Sequence, residues 1–130
     1  NSLNLNEHIS ETFSVEEIIP SAGQGVIALQ CKADDEDIKN ILKKVNDKPT
    51  YFNVIAERNV LKILEGDCET AVGAVSIINE GKITLEAELF SLDGKERFYY
   101  KSSKDIKYAA ELGIEVGENL KKQSKGSYKK

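Results

Sequence analysis

Apolar positions recur along this chain at two different spacings, and the change from one to the other organises it. Leu5, Ile9 and Phe13 stand at steps of four and predict a short helix over 4–13, after which Val15 to Ile19 reads as a short strand ending at Pro20. Pro20-Ser21-Ala22-Gly23-Gln24-Gly25 is a tight crossing that leads into Val26 to Cys31, a run apolar on both faces, as in a strand covered on two sides. Asp34, with Asp37 three residues on, opens an amphipathic helix carrying Ile38, Ile41, Leu42 and Val45; its acids lie at the start and Lys43 and Lys44 at the end, matching the helix dipole.

Asn46 to Pro49 is polar and contains proline, so a boundary is expected there. Thr50 is then placed to cap a longer helix whose stripe is Phe52, Ile55, Ala56, Val60, Ile63 and Leu64, with Gly66 as its stop. From Val72 the period becomes two. Val75 to Ile78, then Ile83, Leu85, Ala87 and Leu89, then Arg97 to Lys101 predict three strands, with turns at Asn79-Glu80-Gly81 and Asp93-Gly94. Short turns between consecutive strands imply an antiparallel meander, one face of which needs cover. A last helix, capped by Ser103, supplies Ile106, Ala109, Ala110, Gly113, Val116 and Leu120, its two glycines allowing close approach to the sheet. Residues 121–130 read as a frayed tail. The class expected is α+β, a three-stranded antiparallel sheet with helices packed on one face.

Composition narrows the function. With 130 residues, 40% apolar and 31% charged, the chain falls among ordinary soluble domains, one domain or one plus a piece of another. Its apolar runs are too short for a bilayer, and a net charge of -4 disfavours a generic nucleic-acid binder. Only Arg58 and Arg97 offer planar forks for carboxylates. Cys31, Cys68 and the lone His8 have no metal-site spacing and no disulfide framework, so reduced thiols in a cytoplasmic protein are expected. The opening Asn1-Ser2-Leu3 and the absence of Met lead to the expectation of a fragment or processed product.

Among single residues, Cys68 stands out because it sits in a Gly-containing turn between a helix and a strand. Glu65, Asp67 and Glu69 surround it in sequence and disfavour a thiolate, so protease-like or thioredoxin-like chemistry is not expected. On the residues alone Cys68 reads as a structural cysteine, in a free-standing α+β interaction module, with a redox-sensing thiol as the other reading. Gln24 reads on the same terms as a hinge amide bonding backbone. Cys31 reads as core, His8 as surface, and Glu57 and Arg58 as neighbours that do not face each other.

Two separated words decide among these. Pro20-Ser21-Ala22-Gly23-Gln24-Gly25-Val26-Ile27-Ala28-Leu29-Gln30-Cys31-Lys32 resembles the PxxGQG segment and following strand of the hydroxymethylbilane synthases, also called porphobilinogen deaminases. Ala56-Glu57-Arg58, followed by Leu64-Glu65-Gly66-Asp67-Cys68-Glu69-Thr70-Ala71-Val72-Gly73, resembles that family's AER helix and cofactor loop, commonly LxGGCxxPxG. The Asp93-Gly94 hairpin and Ala110-Glu111-Leu112-Gly113 fall in the family's order. Asp67, Glu69, Thr70 and Ala71 depart from the usual loop, which bears on its shape and leaves the sulfur in place.

The resemblance implies that Cys68 forms a thioether to a dipyrromethane cofactor and that Gln24 contacts cofactor or substrate. It implies an enzyme that joins four porphobilinogen molecules into hydroxymethylbilane, with loss of ammonia, in tetrapyrrole biosynthesis. The family's catalytic aspartate and carboxylate-binding arginines would lie upstream of Asn1, so no catalytic residue is expected in this chain, and the chain alone is expected to be inactive. By the same correspondence, residues 1–22 would end a second domain and cross over, 23–46 would be a return strand and helix of a first α/β domain, and 47–130 would form the cofactor-attachment domain. The partners implied are porphobilinogen with the growing pyrrole chain and the missing N-terminal domains, in a cytoplasmic monomer that binds neither nucleic acid nor membrane.

Overall fold

The computed structural model describes residues 5–65 and 70–129. Its elements run α1 (Glu36–Val45), α2 (Lys48–Leu64), β1 (Val72–Asn79), β2 (Lys82–Phe90), β3 (Arg97–Asp105) and α3 (Ala109–Ser124), with single 3-10 turns at Asn6–His8 and Ile106–Tyr108. The expected α+β class holds.

The sheet is an antiparallel meander in the order β1-β2-β3. Its register follows from its turns: Asn79 pairs with Lys82 across Glu80 and Gly81, both at positive φ, which is the hairpin geometry that matches the strand twist. In β2 every second side chain, Ile83, Leu85, Ala87 and Leu89, is buried on one face. Both α2 and α3 cover that face, contributing Ala56, Val60 and Leu64 from one and Ala109, Leu112, Val116 and Leu120 from the other. The opposite face carries Thr84, Glu86 and Glu88 from β2 beside Ser103, Lys101 and Tyr99 of β3.

The glycines of α3 act against the other helix rather than against the sheet. A Cβ on Gly113 would run into the Ala56 carbonyl and stand 2.7 Å from Asn59 Cβ; one on Gly117 would stand 2.8 Å from Ile63 Cβ. Bare backbone at these two positions lets α3 lie directly on α2, and the Asn59 side-chain amide crosses the seam to donate to the Ala110 carbonyl at 3.1 Å.

Several element ends differ from expectation, each because a nearer group does the work. Asp47, not Thr50, caps α2, accepting from the Thr50 amide at 2.8 Å, and Asp35, not Asp34, caps α1. Ser103 stays in β3, where its hydroxyl shares a 2.7 Å hydrogen bond with Thr84, and Asp105 takes over at the entry to the last helix. The helix α2 stops at Leu64 with Glu65 in the left-handed conformation, while the expected stop, Gly66, lies outside the described residues.

Four expectations fail. Residues 121–129 do not fray: α3 runs on to Ser124, the chain turns at Lys125 and Gly126, and Tyr128 ends in the core, 2% exposed. Its ring supplies apolar area that a Lys, Ser and Gly count overlooks. The segment Val26 to Cys31 is not a strand, and neither is Val15 to Ile19, while the expected helix over 4–13 is reduced among the described residues to the 3-10 turn at Asn6–His8. A strand exists only by pairing, and no described strand lies beside Val26 to Cys31; Ile27 is 88% exposed. Helix α1 forms as expected but buries nothing.

Candidate functional site

Strand β1 is an edge of the sheet, and its free side receives the crossing segment. The Ala74 amide donates to the Pro20 carbonyl at 2.9 Å, an edge-strand hydrogen bond made to a non-strand neighbour. Gly73 permits this approach, since a Cβ there would stand 2.7 Å from the Ile19 carbonyl oxygen. Three residues further on, the chain turns through Gly23 and Gly25, both at positive φ, with the Gln24 amide donating to Ser21 at 3.0 Å. The Gln24 side chain stands exposed at the tip of this turn.

What locks the crossing in place is Glu57 on α2, only 8% exposed. One carboxylate oxygen accepts from the Gly23 amide at 2.7 Å, and the other accepts from the Ser76 amide at 2.9 Å and the Ser76 hydroxyl at 2.7 Å. A buried carboxylate is tolerated when its lone pairs are filled by donors this close. Glu57 therefore joins three pieces of backbone: the crossing, the long helix and the edge strand. Its neighbour Arg58 points elsewhere and is exposed, beside Asn59, Leu61, Lys62 and Glu65. Their divergence follows from the helical step of about 100° per residue.

The other end of α2 lies just before Cys68 in the chain. That cysteine, with Gly66, Asp67 and Glu69, lies outside the described residues; Glu65 and Thr70 are the flanks the structure describes. The Tyr128 hydroxyl donates to the Leu64 carbonyl at 2.9 Å, and Lys121 Nζ donates to the Ile63 carbonyl at 3.3 Å. The Glu65 carboxylate takes Lys129 Nζ at 2.9 Å and Lys121 Nζ at 3.7 Å. The hydrogen bond from Lys129, then the charges of Lys121 and Lys129, hold the Glu65 carboxyl below the usual range.

On the uncovered sheet face a shallow cleft is lined by Val15, Glu16 and Ile19 on one side and Ile77, Glu86, Arg97, Tyr99 and Lys101 on the other. Arg97 pairs with Glu88 at 2.7 Å and Lys101 with Glu86 at 3.5 Å. The Tyr99 hydroxyl donates to Glu86 at 2.6 Å, and that bond, then burial, pushes its pKa up to about 12. These charges are mutually matched and form no acid–base pair suited to proton transfer. Among the described residues, no helix is long and apolar enough to cross a membrane.

With this geometry in hand, residues 51–122 match the model of the porphobilinogen deaminase C-terminal domain, and residues 1–40 match that of the porphobilinogen deaminase dipyromethane cofactor binding domain. The chain belongs to the porphobilinogen deaminase family. It is 38% identical over 125 residues to the porphobilinogen deaminase of Brevibacillus brevis, covering 95% of this chain and 40% of that protein. Against the Desulforamulus reducens porphobilinogen deaminase it is 36% identical over 112 residues, 86% of this chain and 36% of the relative. The Desulforudis audaxviator porphobilinogen deaminase is 38% identical over 94 residues, 72% of this chain and 30% of that protein. The chain thus spans about 40% or less of these relatives' length.

The two porphobilinogen deaminase words in the chain are in contact: Gly23, from the PxxGQG segment, is held by Glu57, from AER. The structure brings these together and leaves Gln24 free of that clamp, at the surface. Cys31 is half-buried rather than core, because the segment around it lies open, and His8 is exposed as expected. Sequence reasoning missed the Glu57 clamp and Tyr128. A signal for the first was present in Glu57 falling beside Ala56 on the buried stripe of α2, and for the second in a lone aromatic ring within a polar tail.

Proposed function

We propose that this chain is the C-terminal part of an enzyme that condenses four porphobilinogen molecules into hydroxymethylbilane, releasing ammonia, in tetrapyrrole biosynthesis, with Cys68 as the tether of a dipyrromethane primer. The observation that carries the reading is the contact between the two family motifs, Gly23 on Glu57, in a chain that matches both porphobilinogen deaminase models. Residues 1–22 and 23–46 then belong to neighbouring domains, and 47–130 is the attachment domain. A family match that ends at residue 40 and another that begins at 51 support a boundary at 46/47.

The donor set fits such a group. A tether asks for one sulfur on an accessible turn and no low-pKa thiolate. Glu65, the last described residue before Cys68, has a side chain two-thirds exposed, which supports the reading. Cys68 would hold the group through a thioether at its sulfur. When bound, the dipyrromethane supplies the pyrrole terminus on which the product grows. In this chain Cys68 would anchor that terminus, and Gln24, exposed on the crossing turn, would contact it. Proton transfer and recognition of the acetate and propionate side chains fall to residues of the missing N-terminal domains, so the isolated chain is inactive. A soluble, cytoplasmic monomer fits this role.

The test is intact mass and pyrrole colour reaction on the full-length protein and its Cys68→Ser variant. The reading expects a dipyrromethane adduct on the parent and none on the variant. An adduct that survives in Cys68→Ser, or turnover of porphobilinogen by residues 1–130 alone, overturns it.

A further inference from the structure

Burying a carboxylate carries a desolvation cost, and tying two backbone segments together needs only a neutral acceptor. Glu57 is nevertheless a carboxylate, 8% exposed, on the buried side of α2. Its geometry shows what two full acceptor oxygens achieve. One oxygen is occupied by the Ser76 amide at 2.9 Å and the Ser76 hydroxyl at 2.7 Å, which fix the carboxylate against β1. The other is thereby aimed at the crossing segment and takes the Gly23 amide at 2.7 Å. A side-chain amide cannot do both, because its nitrogen would face a donor on one side or the other. The turn that Glu57 reaches does not hold itself. Gly23 and Gly25 stand at φ 73° and 77°, and a Cβ on either would meet nothing within 4 Å, so packing around these positions does not select their conformation. Glycine also has the widest backbone choice of any residue. Past the turn the chain lies open, with Ile27 88% exposed. Before it, the Ala74 amide holds the Pro20 carbonyl at 2.9 Å and Ala22 packs against the core. The bond from Gly23 to Glu57 then ties the turn to the body immediately before Gln24, whose side chain is exposed.

We propose that Glu57 is a positioning residue for Gln24: by fixing the Gly23 peptide it selects one conformation of the glycine turn, and so the direction in which the Gln24 amide is presented to the pyrrole chain. The inference rests on the proposed contact between Gln24 and that chain. Glu57 itself, buried and turned toward Ser76 and Gly23, touches no substrate and acts through the turn. A contact offered in one orientation speeds a reaction that a contact spread over several orientations leaves slow.

The experiment measures porphobilinogen turnover by the full-length protein and by its Glu57→Gln, Gln24→Ala and double variants, well below the melting temperature of each. Glutamine keeps the volume of Glu57. Because the Ser76 bond is buried and the Gly23 bond only partly so, water relieves a loss at Gly23 more readily; the glutamine carbonyl stays with Ser76 and the crossing tie is the one lost. Each single variant lowers kcat/KM by about tenfold, the low end of what a hydrogen bond to a charged group contributes, and the double variant is no slower than either. Amide exchange at Gly23, Gln24 and Gly25 accelerates in Glu57→Gln by more than it does in β3. Losses that multiply to about hundredfold in the double variant would show Glu57 acting apart from Gln24. A lower melting temperature with parental turnover in Glu57→Gln would show a structural role only, and parental turnover in Gln24→Ala would leave no contact to position. Each of these three results overturns the proposal. Ser76→Ala, which removes one of the carboxylate's three donors, decides the matter if Glu57→Gln does not fold, its smaller loss disappearing in the Gln24→Ala background. A parent that does not turn over porphobilinogen overturns the functional reading itself, while exchange in the turn still reports whether Glu57 holds it, so the two failures are distinguishable.

Discussion

Helices α1 and α2 both carry an apolar stripe, a capping aspartate and a lysine in the last turn, yet α2 buries Ala56, Glu57, Val60 and Leu64 while α1 buries no residue at all. Local signals are equal; what differs is the presence of something to cover the stripe. The helix α2 finds it in β1, β2 and α3, so the region after residue 47 satisfies its own hydrophobic pattern. The region before it does not: Ile38, Ile41 and Val45 stand open, as do Ile27 and Leu29 in the segment preceding them. A contiguous set of exposed apolar side chains on one segment is the mark of a surface meant for a partner. Under the proposed domain assignment, that partner is the rest of the enzyme.

The sharpest break in this comparison comes from equivalent truncations on either side. Leu112→Ala removes a fully buried side chain and costs about 2–5 kcal/mol, lowering the midpoint of urea unfolding of residues 1–130. Ile41→Ala, 56% exposed, changes the same midpoint within about 0.5 kcal/mol. Under the proposed domain assignment the difference narrows in the full-length protein, where Ile41 would gain cover. An Ile41→Ala variant as costly in residues 1–130 as Leu112→Ala would show that the helix is already covered and sink the contrast.

The joint between the regions offers a second test. Removing the Glu57 carboxylate in Glu57→Ala leaves the Gly23 amide and both Ser76 donors without their acceptor, a loss of about 3 kcal/mol once part of the penalty is relieved by water. The loss is directional. Amide hydrogen exchange accelerates across residues 20–26 and in β1 near Ser76, while β3, remote from Glu57, is affected only through global stability. Uniform acceleration would mean that Glu57 supports the core and does not join the crossing to it.

The same contrast explains what was legible in advance. Where an element is completed by its sequence neighbours, as in the meander from Val72 to Lys101, alternation and turn chemistry point correctly to the three strands, their turns and the need for cover on one face. Where completion comes from far away, they do not. The run Val26 to Cys31 has the composition of a two-sided strand, but a strand is a relation between segments and its partner is not among the described elements. Gly113 and Gly117 were rightly read as close-approach positions and assigned to the wrong neighbour, because spacing on one helix does not say which surface lies opposite. Tyr128 was lost to composition: nine polar, glycine or charged residues outvoted the one ring that buries. The candidate site shows the same division. Both motif words were readable, whereas their contact through Glu57 depends on a fold that brings residue 23 to residue 57.

The smallest effect expected is also the most local, at the uncovered sheet face where Val15 and Ile19 meet Tyr99. Because Tyr99 donates to Glu86, the folded chain holds the phenol proton more tightly than the unfolded chain does, raising the pKa from 10.0 to about 12. A raised folded-state value contributes stability that is complete below the unfolded value and disappears as pH climbs through the folded one. Stability is therefore flat with respect to this group up to about pH 10 and declines from there to about pH 12. Tyr99→Phe, which has no proton to lose, is less stable than the parent at neutral pH, and the gap between them closes over that window. Tyr99 is partly open to solvent, so the gap is small and is best read as a difference between the two pH profiles, in which shared lysine titration cancels. If the profiles run parallel to pH 12, the Glu86 bond is not formed in solution and this face is free for the segment before it to cover differently.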